Sequence, residues 1–332
     1  MLEKLLAEKG HLLADGATGT NFFEAGLGPG DPPEMWNVDH PDRVVALHRG
    51  FIDAGADIIL TNSFGGTRHR LKLHHLQGRV HELNKAAAEN ARAAAAEAGR
   101  PVVVAGSVGP TGELFVPMGA LTHEDAVDAF RDQIAGLKDG GADVVWIETM
   151  SSNEEIAAAI EAATALDMPY VYTASFDTAG RTMMGVKPED LPTVAAGAAT
   201  PPAALGANCG VGASDLLVAA LKMTEANPQV AVVAKANCGI PVLQGERVHY
   251  SGTPELMARY TTLALDAGAR IVGGCCGTTP EHIAAMRKAM DDYQQGERPS
   301  VEKIVAEIGP LVSPPREGGT DERRRTSRRA RA

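Results

Sequence analysis

Short apolar runs alternate with longer amphipathic stretches along nearly the whole chain. The runs fall at 11–15, 56–61, 101–106, 143–148, 170–175, 204–209, 230–236 and 269–275. Between most of them lies an alanine-rich stretch with helical spacing, such as 80–97, 124–138 or 254–265. Strands that are apolar at successive positions are buried on both faces, which marks a parallel sheet covered by helices. Eight such units in 332 residues predict an α/β chain folded as a (β/α)8 TIM barrel rather than an open doubly wound sheet.

A weak internal repeat supports this. Asp53-Ala54-Gly55-Ala56-Asp57-Ile58-Ile59, Asp139-Gly140-Gly141-Ala142-Asp143-Val144-Val145 and Asp266-Ala267-Gly268-Ala269-Arg270-Ile271-Val272 share one pattern. In each, a glycine ends a helix in the left-handed conformation and a β-branched strand follows at once. Turns of that kind belong to the bottom of a barrel. The long connections, 16–41, 109–122 and 239–251, belong to the opposite face, where barrel enzymes build their sites. The barrel is expected to occupy residues 1–310. A solvated, disordered Arg-rich tail is expected at 311–332, with Arg323-Arg324-Arg325 and Arg328-Arg329 and few large apolar residues.

Composition narrows the function classes. A net charge of -11 argues against a nucleic-acid surface. No apolar run approaches the ~20 residues of a membrane span, and the charged start 1–9 does not read as a signal peptide. Four cysteines in a chain of this length are too few for a disulfide scaffold. A reducing, cytoplasmic setting is expected. The sequence leaves open a homo-oligomer.

Two of those cysteines are adjacent, in Gly273-Gly274-Cys275-Cys276-Gly277. Neighbouring cysteines bond each other only in a strained ring, whereas two thiolates can take two corners of a zinc tetrahedron if the backbone turns sharply. Flanking glycines supply that turn. Cys209 follows another apolar run and precedes Gly210, so it is the candidate third ligand. The expected zinc site therefore lies at the C-terminal face of the strands. Three thiolates leave one corner open and give a poor Lewis acid for activating water. A substrate thiolate is the natural fourth ligand, held deprotonated and nucleophilic. Cys238 is the alternative: as a fourth thiolate it would close the site and make it structural.

In a barrel, polar residues at strand ends converge on one mouth. They include Asp15 and Gly16, Thr61 and Asn62, Glu148, Ser175, Asn208 and Asn237. A carboxylate that ends the run Val144-Val145-Trp146-Ile147-Glu148 is costly unless paired, and a substrate ammonium would pair it. Asp15 could help from its own strand end. The ten histidines show no metalloprotease spacing, and those at 69–81 are expected on the surface. No Gly-x-Gly-x-x-Gly, Walker or Gly-x-Ser-x-Gly motif is present.

Asp15-Gly16-Ala17-Thr18-Gly19-Thr20, Gly206-Ala207-Asn208-Cys209-Gly210 and Gly273-Gly274-Cys275-Cys276-Gly277 resemble the three landmarks of the zinc-dependent homocysteine S-methyltransferases. That family includes betaine–homocysteine methyltransferase and the homocysteine-binding module of cobalamin-dependent methionine synthase. The resemblance runs over about 5–290. It implies a barrel in which Cys209, Cys275 and Cys276 hold zinc and, through it, the homocysteine sulfur. It also implies that Glu148 holds the amino group and that Asp15-Gly16 closes on the amino acid. Thr61 and Asn208, at strand ends of the same mouth, are the further candidates for binding the substrate. The methyl donor is either a glycine betaine-type onium compound or methylcobalamin carried by a separate corrinoid protein. A betaine enzyme should enclose the quaternary ammonium in aromatic faces. Trp36 is the candidate, with Gly65 and Thr149 standing where cage tyrosines are expected and Phe64, Phe115 or Tyr250 as substitutes. Ala56-Asp57-Ile58-Ile59-Leu60-Thr61-Asn62-Ser63-Phe64 and Gly109-Pro110-Thr111-Gly112 are similar to the methionine-synthase module. The alternatives are a non-catalytic zinc-stabilised scaffold closed by Cys238 and a homocysteine-binding subunit that depends on a corrinoid partner.

Overall fold

A computed structural model describes residues 1–244 and 247–314. From residue 315 on, the expected Arg-rich tail lies outside the described residues. Among the described residues ten strands form: β1 (Leu12–Leu13), β2 (Ile58–Leu60), β3 (Val103–Val108), β4 (Val144–Met150), β5 (Tyr170–Ala174), β6 (Ala204–Cys209), β7 (Val232–Ala236), β8 (Pro241–Gln244), β9 (Arg247–Tyr250) and β10 (Ala269–Gly274). Eight of them pair in parallel, in the order β1-β10-β7-β6-β5-β4-β3-β2. The ring nearly closes through a parallel bridge between Ala14 and Ile58, where the Asp15 amide donates to the Ile58 carbonyl at 3.0 Å. This is the expected (β/α)8 barrel.

Alternation along the strands divides the core in two. One face gives Leu12, Ala14, Ile58, Leu60, Val103, Ala105, Val144, Trp146, Val171, Val233 and Ile271, which form one buried cluster inside the barrel. Leu2, Leu5 and Leu6 belong to the same cluster, so the helix Leu2–Lys9 plugs the barrel from below. The other face, including Val104, Val145, Tyr172 and Val272, packs against the helices. That two-sided burial is why the strands read as unbroken apolar runs.

The helices Val80–Ala96, His123–Asp139 and Pro254–Asp266 match the amphipathic stretches. Thr122 and Thr253 cap two of them by accepting from the Asp125 and Leu256 amides. The repeated turn is left-handed as expected, with φ of 102° at Gly55, 92° at Gly141 and 94° at Gly268.

Two connections carry structure of their own. Within the long connection 239–251, β8 and β9 pair antiparallel. After β5 the chain forms a 3-10 segment, Pro188–Ala195, with Pro192 inside it. A proline there removes an amide donor and clashes with an earlier carbonyl, so a full α-helix cannot form. No helix among the described residues is long and apolar enough to cross a membrane.

Candidate functional site

The inward faces stay apolar up to the C-terminal layer and then turn polar. Val103 and Ala105 lead to Ser107, Val144 and Trp146 to Glu148, Val171 to Thr173, Ala204 to Asn208, and Val233 to Lys235, every one of these polar residues buried. Above this layer opens a cavity of about 390 Å³, whose wall includes Gly16, Thr61, Ser107, Glu148, Lys235, Cys209, Cys275 and Cys276.

The three cysteines meet because two strand ends turn. Cys209 closes β6 with φ 61° and Gly210 continues at 78°. The Cys275 amide donates to the Ala236 carbonyl at 2.7 Å, and the Thr278 amide to the Cys275 carbonyl at 3.1 Å. The Cys276 amide donates to Asn237 Oδ1 at 3.0 Å. Glycine is required at 277, which has φ 79° and where a Cβ would stand 2.4 Å from Tyr250 Cγ. The sulfurs of Cys209, Cys275 and Cys276 lie within 4.8 Å of one another, a grouping that does not include Cys238. The Cys238 side chain is fully buried, and a Cβ at Gly252 would be 2.7 Å from its sulfur.

These spacings fit a metal. Three sulfurs about 2.3 Å from one ion in a tetrahedron stand about 3.8 Å apart, inside the observed limit. Without a cation the thiols resist ionisation. The hydrogen bond that the Cys209 thiol gives to Cys275, followed by burial, pushes Cys209 up to about 12. Cys276 is likewise pushed up to about 12, first by its hydrogen bond with Cys209. Soft thiolate donors that need a positive charge to form suit zinc or a similar ion.

Glu148 is the acid of the cavity floor. Burial pushes its carboxyl up to about 7, while the Ser107 hydroxyl, donating to Oε1 at 2.5 Å, and the Lys235 charge pull it back. Asp15 is placed differently from the expectation. Its Oδ2 accepts from the Leu60 amide at 2.7 Å and its Oδ1 from Lys235 Nζ at 2.8 Å, and it is missing from the cavity wall. Both oxygens are engaged within the protein. Burial still raises its pKa, against the pull of Lys235 and of that amide. Gly16 does line the cavity, and a Cβ there would meet the Thr278 carbonyl at 2.7 Å.

The remaining expected residues divide. Thr61 lines the wall, its Oγ1 accepting from the Ser107 amide at 2.9 Å. Asn208 lies behind the wall as a latch. Its Oδ1 accepts from the Thr149 amide at 2.8 Å and Thr173 Oγ1 at 2.6 Å, and its Nδ2 stands 3.9 Å from Cys275 Sγ. Trp36 does not reach the cavity. It packs with Phe22, Leu27 and Val44, and the Arg43 guanidinium lies 5.0 Å from its ring centroid. A ring face already covered by a cation offers no cage wall. Phe64 and Phe23 stand at the mouth instead, Phe115 packs against the outer core, and Tyr250 hydrogen-bonds Cys276. His74 lies at the mouth and is exposed, as expected of a surface histidine.

Lys235 and Ser107 were not singled out in the sequence. The signal for the lysine is a charge two residues beyond Val233, on the inward face of an apolar strand; its partner lies 220 positions away.

A family model described as homocysteine S-methyltransferase matches residues 12–290. Methionine synthase of Mycobacterium tuberculosis is 29% identical over 321 residues, covering 90% of this chain and 26% of that protein. The chain thus spans about a quarter of that relative's length. Among solved structures, the homocysteine methyltransferase MmuM of Escherichia coli superposes in its oxidised form with a TM-score of 0.72 at 27% identity, covering 86% of this chain and 98% of that one. Its metallated form gives 0.73 at 26% identity, with 86% and 99% covered.

Proposed function

The chain belongs to the homocysteine S-methyltransferase family, and from that footing we propose that it methylates the sulfur of homocysteine to give methionine. The observation that carries this reading is one cavity holding two complementary features. Three thiols able to grip a soft metal line it, and so does a buried carboxylate, Glu148.

Cys209, Cys275 and Cys276 are the residues that would hold zinc, and Cys238, outside the grouping, leaves a coordination position for substrate. When bound there, zinc supplies a positive charge that keeps the homocysteine sulfur a thiolate at neutral pH. Glu148 takes the substrate ammonium, with Ser107 fixing the carboxylate's orientation. Thr61 and Gly16 shape the wall beside it. The amino acid is thereby held at both ends, with its sulfur aimed at the mouth. The sulfur's electron pair forms the new S–C bond while the donor's bond to methyl breaks, and the leaving group departs with the electron pair of that broken bond. The protein's contribution is orientation and exclusion of water.

The donor is a glycine betaine-type onium compound or methylcobalamin on a separate protein. Phe23 and Phe64 at the mouth favour the first. For the second, the 109–122 connection meets Phe64, with the Gly109 amide donating to the Phe64 carbonyl at 3.0 Å. It adds exposed Leu114, Val116 and Met118 to exposed Phe64 and Leu73. Apolar surface of this kind suits a docking macromolecule.

The test is methionine formation by zinc-loaded protein given homocysteine with glycine betaine, S-methylmethionine or methylcobalamin in parallel. Turnover with a small onium donor assigns a self-contained enzyme. Turnover with methylcobalamin alone assigns a corrinoid-dependent one. Failure to bind homocysteine would refute both.

A further inference from the structure

Lys235 is a buried cation inside the barrel of a chain whose other inward-facing residues on that strand are apolar. Its side chain is 2% exposed and that of Asp15 1%. Nζ donates to Asp15 Oδ1 at 2.8 Å and to the Asp15 carbonyl at 3.0 Å. The neighbouring strand makes room for the lysine stem. Gly273 is in register with Lys235, and a Cβ on that glycine would stand 2.9 Å from Lys235 Cγ. A lysine threaded through a glycine gap and locked at both a carbonyl and a carboxylate is costly to bury, which asks what its charge is for.

The answer lies in the charge count of the floor. Asp15, Lys235 and Glu148 interact there: Lys235 favours ionised Glu148 and Asp15 opposes it. Lys235 also lines the same cavity as Glu148. A lysine free to swing within that cavity would compete with a substrate ammonium for Glu148. Asp15 prevents that by holding Nζ at both its carboxylate and its carbonyl.

Building on the proposed homocysteine site, we infer that Asp15 and Lys235 are a positioning pair: Asp15 holds Lys235 off Glu148, so that Glu148 stays available for a substrate's single ammonium. Asp15 then acts on the substrate through Lys235 and not as its direct ligand. The roles of the two residues are reciprocal. Removing the acid frees a competitor for Glu148, whereas removing both leaves the floor with the same net charge as before.

The pair is tested by calorimetric titration of metal-loaded wild type, Asp15→Asn, Lys235→Met and the double variant. Two probes are used: homocysteine and 4-mercaptobutyrate, the same thiol acid without its amino group. Asp15→Asn should weaken homocysteine binding roughly 10- to 100-fold and change 4-mercaptobutyrate binding by less than about threefold. Adding Lys235→Met should restore homocysteine binding to within about fivefold of wild type. A direct ligand or a purely structural residue gives no such rescue. A double variant as weak as Asp15→Asn, or an Asp15→Asn protein that binds homocysteine normally, overturns the pair. If Asp15→Asn alone does not fold, the double variant decides: near-native affinity supports the pair and lost affinity overturns it. Wild type that binds 4-mercaptobutyrate but not homocysteine overturns the amino-group site beneath this inference, and the pair with it.

Discussion

The Ser107 hydroxyl donates to Glu148 Oε1 across 2.5 Å, tying the polar ends of β3 and β4 together on the cavity floor. One lone pair of a buried carboxylate is thereby fixed, and the rest of the group faces the space where a substrate would lie. Glu148→Gln keeps shape and volume but removes the charge. It should weaken homocysteine binding by about 10- to 100-fold, the range expected for losing a hydrogen bond to a charged group, and leave the metal content unchanged. Binding isotherms and metal analysis of one preparation check both statements.

The same residue sets a pH dependence. Burial raises Glu148 from 4.5 to about 7 in the ligand-free protein. The folded state therefore keeps a proton that the unfolded chain releases. The associated stability is fully present below the unfolded value and is lost as pH rises through about 7. Ammonium binding needs the carboxylate, so its dependence has the opposite sense. Homocysteine affinity should rise with pH through about 7, and that step should be missing from Glu148→Gln. A wild-type profile flat across this range would remove Glu148 from the amino-group site.

The barrel was legible because strands covered on both faces read as unbroken apolar runs below their polar ends, as Val144 to Ile147 does in β4, and because Gly55, Gly141 and Gly268 mark the turns beneath them. The cysteine cluster was legible because adjacent thiols between glycines have few other uses. What the sequence hid were relationships between distant positions and side-chain directions. Asp15 reads as an unpaired acid until Lys235, 220 positions on, is seen to hold it. Trp36 belongs to the connection 16–41, rich in glycine and proline, and nothing local says that Arg43 and Phe22 will pack against its ring. The β8–β9 hairpin was hidden because a short paired segment in a long connection carries little periodicity.

Cys275→Ser should lower bound zinc by at least about tenfold, since a hydroxyl is a far weaker zinc ligand than a thiolate. Cys238→Ser should keep the metal, because its sulfur lies outside the three-cysteine grouping. Metal-to-protein ratios after gel filtration distinguish the two. Equal loss in both variants would favour a closed four-cysteine site.

Asn208→Ala removes the acceptor of the Thr149 amide and the group next to Cys275 Sγ. Thr149 has φ 62°, a conformation a β-branched residue adopts only when its surroundings enforce it. The substitution should cost about 1–3 kcal/mol of stability, the penalty for an unsatisfied buried group, and should loosen metal retention. Denaturant unfolding of the metal-loaded protein, compared with wild type, gives the number. A change under about 0.5 kcal/mol, typical of uninvolved surface sites, would deny Asn208 its latching role.

X-ray absorption at the zinc edge tests the central claim most directly, recorded on the loaded protein before and after homocysteine is added. Three sulfur neighbours should become four, with a lighter ligand displaced. Four sulfurs before any thiol is added, unchanged by homocysteine, would contradict a substrate-binding site and mark the metal as structural.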